Sequence, residues 1–215
     1  MNAEAMILDF GGVITRTLFE THPETEALLG LAPGSLTWRG PFQPESDPLW
    51  QSMQRGEISE RDYWLKRTHE VGAMCGHDWQ QMSDFVIAAR GGEPMKMIRP
   101  EALAAIETAH KAGRRLAILS NELDLFYGAE LREKLPFLKY FDVITDATHT
   151  EFLKPDPRIY QLCLDQLGLP AGACVFVDDQ ARNIEGAAAV GLQTVSFDVR
   201  NPADSYRSAL KLLGL

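Results

Sequence analysis

Ala5-Met6-Ile7-Leu8-Asp9-Phe10-Gly11-Gly12-Val13-Ile14-Thr15 is the stretch whose reading decides the fold. A short apolar run ends on a carboxylate, and two glycines come almost at once after it. This pattern predicts a buried strand that delivers Asp9 to a tight turn at its C-terminal edge, where open α/β sheets carry their ligands. A carboxylate placed there suits a nucleophile or a metal ligand.

Further apolar runs at Met6–Leu8, Arg115–Leu119, Val143–Thr145, Cys174–Val177 and Gln193–Phe197 read as strands, each closed by polar or Gly-rich turns. Helical patterns separate them. Pro100 opens one that stops at Gly113; Asp156 and Pro157 open another, with Ile159, Leu162, Cys163 and Leu167 on one face and Gly168 at its end. Arg182–Val190 and Ala203–Leu213 are read as helices too. Alternating strands and helices predict a parallel, doubly wound sheet.

The segment from Thr17 to Gly92 breaks that alternation. Thr21–Leu29, Pro48–Gln54, Ser59–Val71 and Asp78–Ala89 are expected helices, and Ser59 with Asp62 forms a weak capping box. All four tryptophans (Trp38, Trp50, Trp64, Trp79) fall here and read mostly as core, with Trp38 the one candidate among them for a pocket wall. The expected organisation is an α/β core over 1–16 and 93–215 with a helical insert over 17–92, and a return hinge at Gly91-Gly92-Glu93-Pro94.

The 215 residues suffice for a sizeable core, and 45% apolar with 24% charged residues is ordinary for a soluble globular chain. A net charge of −9 argues against nucleic acid or an anionic membrane as the main partner. No apolar run approaches the ~20 residues of a membrane span. Met1-Asn2-Ala3-Glu4-Ala5 lacks the basic start of a signal peptide. Cys75, Cys163 and Cys174 show no metal spacing, so reduced thiols and a cytoplasmic location are expected.

The residues just past the strand ends carry the chemistry. Asp9, then Ser120-Asn121, then Lys154 before Pro155, then Asp178-Asp179 with Asn183 beyond converge on one sheet edge. A carboxylate can attack phosphorus. The acids Asp9, Asp178 and Asp179 would repel one another unless a hard cation such as Mg2+ joined them. Ser120 and Lys154 can stabilise charge on a phosphoryl group.

In this order, Asp-Phe-Gly-Gly-Val at 9–13, Leu-Ser-Asn at 119–121, Lys-Pro-Asp at 154–156 and Val-Asp-Asp-x-x-x-Asn at 177–183 resemble the four motifs of the haloacid dehalogenase superfamily, subfamily IA. The likeness is greatest to the branch containing the phosphatase domain of soluble epoxide hydrolases. It implies a Rossmann-like three-layer core with a C1-type helical cap that closes over the site and selects a small phosphorylated substrate. It makes Asp9 the nucleophile of a phospho-aspartyl mechanism. Ser120, Asn121 and Lys154 become phosphate-binding residues. Asp9, the Gly11 backbone carbonyl, Asp178 and Asp179 become magnesium ligands, supported by Gly12 and Asn183. A monomer or homodimer is expected.

The chain departs from this family at Gly11, where a second aspartate usually transfers protons. A general acid or base typically contributes ~10²–10⁴-fold. The resemblance therefore leaves three readings open: a magnesium-dependent phosphatase that favours good leaving groups or recruits another group, a weakly active or non-catalytic ligand-binding protein, and a 2-haloacid dehalogenase. Retention of Asp178-Asp179 favours the first. Candidate substitutes for the missing acid are His22, Glu122 and Asp124, and Arg16 is a candidate anion contact. Asp156 reads as a helix cap and Met95 and Met97 as packing residues.

Overall fold

In the computed structural model, which describes residues 2–90 and 93–215, Ala5–Leu8 (β1), Arg115–Ser120 (β2), Val143–Asp146 (β3), Cys174–Asp178 (β4) and Gln193–Ser196 (β5) form one sheet. Its order is β3-β2-β1-β4-β5 and every pairing is parallel. Each strand lies within a residue or two of its expected span. The central strand β1 is buried along its whole length, as a continuous apolar run covered on both faces should be. The chain winds outward from β1 through β2 to β3, then crosses to β4 on the other side. That reversal opens a crevice beyond the C-terminal ends of β1 and β4.

The helices are His22–Leu29 (α1), Pro48–Gln54 (α2), Glu60–Met74 (α3), Met82–Arg90 (α4), Pro100–Lys111 (α5), Leu123–Tyr127 (α6), Pro157–Leu167 (α7), Ala181–Ala189 (α8) and Pro202–Leu212 (α9). Ile159, Tyr160, Cys163, Leu164 and Leu167 of α7 form one buried cluster with Ile7, Ala117, Leu119 and Phe176 of the sheet. Helix α7 begins as expected, with the Asp156 carboxylate accepting the Arg158 N–H, and ends at Gly168 with φ 67°. Helix α4 starts later than the sequence suggests, at Met82, and the short α6 was not expected.

The chain divides into two compact units. The first holds residues 1–16, 97–124 and 129–215; the second holds 17–96 and 125–128. The expected hinge at 91–94 falls partly on Gly91 and Gly92, which lie outside the described residues. Leu125, Phe126 and Tyr127 join the second unit because they pack into its apolar cluster.

That cluster is largely aromatic. Phe19, Trp38, Trp50, Tyr63, Trp64, Phe85 and Phe126 are all buried, many of them edge-to-face at centroid distances such as 5.4 Å for Phe19–Trp38. Trp38 is a core residue, as the tryptophans of this segment mostly read, with the Arg67 guanidinium 5.2 Å from its ring centre. Asp47 organises the unit: it caps α2 through the Trp50 N–H (2.9 Å) and accepts from Tyr63 Oη (2.8 Å) and Arg67 Nη2 (2.6 Å). The Ser59–Asp62 capping box of α3 forms as predicted.

Candidate active site

Strand β1 carries Asp9 to the sheet edge, and the Asp9 N–H extends the ladder to Val177 O at 2.9 Å. The chain then turns tightly over Phe10–Ile14, the Thr15 N–H bonding back to Phe10 O. Gly12 sits at φ 83°, a conformation glycine adopts without steric cost. Gly11 differs: φ −73° and ψ 122° suit any residue, its backbone is exposed, and a Cβ built there meets nothing within 4 Å.

The turn is strapped from outside. Arg99, buried just before α5, donates Nε and Nη2 to the Gly12 carbonyl at 3.1 and 3.0 Å, and Tyr206 of α9 donates its hydroxyl to Val13 O at 3.0 Å. Charge-assisted bonds to a carbonyl are stronger than neutral ones, so this backbone is well held. Neither residue was singled out from the sequence, because each lies far along the chain from the turn it supports. The only sequence signal at Arg99 is a cation directly before a helix-opening proline.

Lys154 is the electrostatic centre. Its ammonium lies 2.9 Å from Asp9 Oδ1 and 2.6 Å from Asp178 Oδ2, with the side chain almost fully buried. Burial by itself would lower the lysine pKa, but the Asp178 and Asp9 carboxylates outweigh it and hold the group charged, above its ordinary value. Asn121 explains how the ammonium is aimed. Its Oδ1 accepts the Lys154 N–H at 2.7 Å, and its Nδ2 donates to the Lys154 carbonyl at 3.2 Å. The Asn121 carboxamide, expected to bind phosphate, is thus engaged in positioning Lys154, since its carbonyl and an N–H are committed to that backbone. Gly186 of α8 allows close approach from the other side: a Cβ there would lie 2.8 Å from Pro155 Cβ and 2.9 Å from Pro155 O.

Asp178, fully buried at the end of β4, also accepts the Gln180 N–H at 2.8 Å and the Asn183 Nδ2 at 3.1 Å on both oxygens. Asn183 is fixed in turn by the Tyr160 hydroxyl on its carbonyl (2.8 Å), while its buried Oδ1 has no hydrogen-bond partner among the described residues. Asp179 is half-buried beside them. One carboxylate oxygen from each of Asp9, Asp178 and Asp179 lies within 4.8 Å of the others. Like charges so close repel by ~4 kcal/mol per pair at an effective dielectric near 20. Three carboxylates and one ammonium leave these four side chains with two excess negative charges, and an all-oxygen donor set of this kind suits a hard divalent cation. Ser120 ends β2 in the same sheet, buried, so the structure brings Asp9, Lys154, Asp178, Asp179 and Asn183 together with Asn121 behind Lys154.

The candidate substitute acids are differently placed. Asp124 is bound by Arg132 Nε at 2.9 Å and His149 Nε2 at 2.8 Å. Burial opposes it, but His149 and Arg132 hold this carboxyl below the usual range. His22 is buried in the second unit, 4.3 Å from the Trp38 ring centre, with Nδ1 facing Arg39 Nη1 at 3.3 Å. Burial first and then the Arg39 charge lower its pKa to about 4. Glu122 is buried, its N–H directed at Ser120 Oγ. Arg16 gives its backbone N–H to Met97 O.

A family model described as haloacid dehalogenase-like hydrolase matches residues 3–191. Acyl-CoA dehydrogenase family member 10 of Mus musculus is 28% identical over 214 residues, 98% of this chain but 19% of that protein. Phosphatase MT3486 of Mycobacterium tuberculosis is 29% identical over 141 residues, 66% of this chain and 61% of that protein. The chain thus spans less than two thirds of either relative. The magnesium-bound crystal structure of the HAD-hydrolase YfnB from Bacillus subtilis shares the fold, with a TM-score of 0.67 at 16% identity over 92% of this chain and 87% of that one. Among the described residues, no helix is long and apolar enough to cross a membrane.

Proposed function

This chain belongs to the haloacid dehalogenase-like hydrolases, and from that premise we propose that it hydrolyses the phosphomonoesters of small metabolites through a phospho-aspartyl intermediate on Asp9. The observation that carries the reading is the buried Lys154 ammonium, shared between Asp9 Oδ1 and Asp178 Oδ2 at the edge of a three-carboxylate group. What favours phosphate over a 2-haloacid is the Asp178-Asp179 pair beside Asp9, a donor set suited to a divalent cation that a phosphoryl dianion needs and a departing halide does not.

Asp9 attacks phosphorus, its oxygen forming the new bond as the ester oxygen departs with the bonding pair. Lys154 and the Ser120 hydroxyl steady the phosphoryl oxygens, and Asn121 keeps Lys154 at its station. Water then attacks the aspartyl phosphate, releasing phosphate and the free Asp9 carboxylate. Asp9, Asp178, Asp179 and the Gly11 carbonyl would hold a magnesium ion, which when bound supplies charge that offsets the repulsion between nucleophile and phosphate. Asn183 and the Gln180 N–H orient Asp178 for that role.

The test is Asp9→Asn, assayed on a panel of phosphate esters with and without magnesium. Turnover is expected to disappear with the fold intact by circular dichroism. Undiminished turnover in the variant refutes the nucleophile.

A further inference from the structure

Resting on the phosphatase reading, we infer that the substrates of this enzyme carry their phosphoryl group on an oxygen acidic enough to leave as an anion: acyl, enol or aryl phosphates, or phosphates at a sugar's hemiacetal carbon. Gly11 is the reason. Its backbone is in an ordinary extended conformation and exposed, and no heavy atom from elsewhere in the described chain comes within 4 Å of where a side chain would begin. Among the described residues, no neighbouring side chain fills the position two residues beyond the nucleophile.

Of the candidate substitutes, Glu122 is buried with its N–H directed at Ser120 Oγ, and the other two are occupied. His22 is buried among Phe19 and Trp38 and bonded to Arg39, and at neutral pH it holds no surplus proton to give. Asp124 is tied into ion pairs with Arg132 and His149. The Lys154 ammonium is already shared between Asp9 Oδ1 at 2.9 Å and Asp178 Oδ2 at 2.6 Å, placed to bind oxygens beside the nucleophile. With no proton delivered, the Asp9–phosphorus bond forms while the leaving oxygen keeps the bonding pair and its negative charge, taking a proton later from solvent. An unactivated alkoxide resists that departure; a carboxylate, phenolate, enolate or hemiacetal oxyanion accepts it. In the second step the attacking water loses its proton to solvent, so the aspartyl phosphate is consumed slowly.

The experiment measures kcat/KM, which reports the step in which the leaving group departs, for a series of aryl and alkyl phosphates with wild type, Gly11→Asp and Gly11→Asn. In the wild type, kcat/KM is expected to fall steeply from 4-nitrophenyl to alkyl phosphate, and 4-nitrophenol is expected to appear in a burst equal to the enzyme present. Gly11→Asp, which meets no steric obstacle, is expected to raise kcat/KM on alkyl phosphates by ~10²-fold or more while changing the nitrophenyl ester only a few-fold. Gly11→Asn, which cannot transfer a proton, is expected to leave the alkyl-to-aryl ratio of kcat/KM as low as in the wild type, whatever its effect on the absolute rates. Equal kcat/KM across the series in the wild type overturns the inference, as does an alkyl-to-aryl ratio that Gly11→Asp leaves unchanged. If no ester of any kind is hydrolysed, or if Asp9→Asn retains turnover, it is the phosphatase reading that fails, and the inference falls with it.

Discussion

Replacing Lys154 by methionine removes one positive charge from a site that is almost closed to water. The side chains of Lys154, Asp178 and Asp9 are 2%, 0% and 11% exposed. Methionine keeps the length of the stem, so the packing against Phe176, now 5.5 Å below the ammonium, is largely preserved and the loss is electrostatic. Breaking a buried pair by removing one partner costs ~3–5 kcal/mol, because the partner's charge stays behind. Here two carboxylates stay behind, but Asp178 keeps the Gln180 N–H and the Asn183 amide, which places the loss near the lower end, at about 3 kcal/mol. For a chain of this size that is a fall of about 6–12 °C in melting temperature. All four tryptophans lie in the second unit, so their fluorescence does not report on this site. The proper readout is amide exchange in β1 and β4, with urea unfolding followed by circular dichroism in magnesium-free buffer. Adding Asp178→Asn to Lys154→Met removes one stranded charge and is expected to recover ~1 kcal/mol or more. A single variant within ~1 kcal/mol of wild type, or a double variant no better than the single, would show that Lys154 does not balance these acids.

Gly186→Ala sets two effects against each other. Alanine gains ~1 kcal/mol of helix propensity, but its Cβ would press on the Pro155 carbonyl and the Tyr160 hydroxyl (3.1 Å), and overpacking costs ~1–3 kcal/mol. The contact is expected to win, giving a less stable protein whose kcat/KM falls because Pro155 adjoins Lys154; higher stability with full activity refutes it. The second unit is expected to lose stability on acidification. With His22 depressed from 6.5 to about 4, the unfolded chain binds the proton first as pH falls, so the contribution is whole above 6.5 and lost by about 4. It amounts to about 3 kcal/mol, read as the difference in unfolding free energy from urea titrations followed by tryptophan fluorescence between wild type and His22→Gln. Equal pH dependence in the two proteins would contradict it.

The features legible in the sequence are those whose physics is local. The apolar run ending in Asp9, the alternation of strand and helix, the Asp156 and Ser59 caps and the Gly168 stop each depend on residues within a few positions of one another. The order of acids, hydroxyl and lysine along the strand ends was equally legible, since a parallel sheet brings its C-terminal edges together whatever fills its core. Helix α6 and the assignment of Leu125–Gly128 to the second unit were not legible, because Phe126 finds its partner at Trp64, far earlier in the chain. The partners of Trp38 were illegible for the same reason: nothing adjacent to it announces the ring of aromatics around it.

By itself the sequence determined the parallel sheet and the order in which Asp9, Ser120, Lys154 and Asp178 follow along the chain. Only the tertiary structure decided how those residues are used. It commits Asn121 to the backbone of Lys154, straps the Gly12 and Val13 carbonyls with Arg99 and Tyr206, and buries His22 against Trp38. It also leaves the space beside Gly11 open. Patterns of a few neighbouring residues encode local geometry, whereas hydrogen bonds such as the one between Tyr206 and Val13 link positions 193 residues apart and exist only once the core has packed.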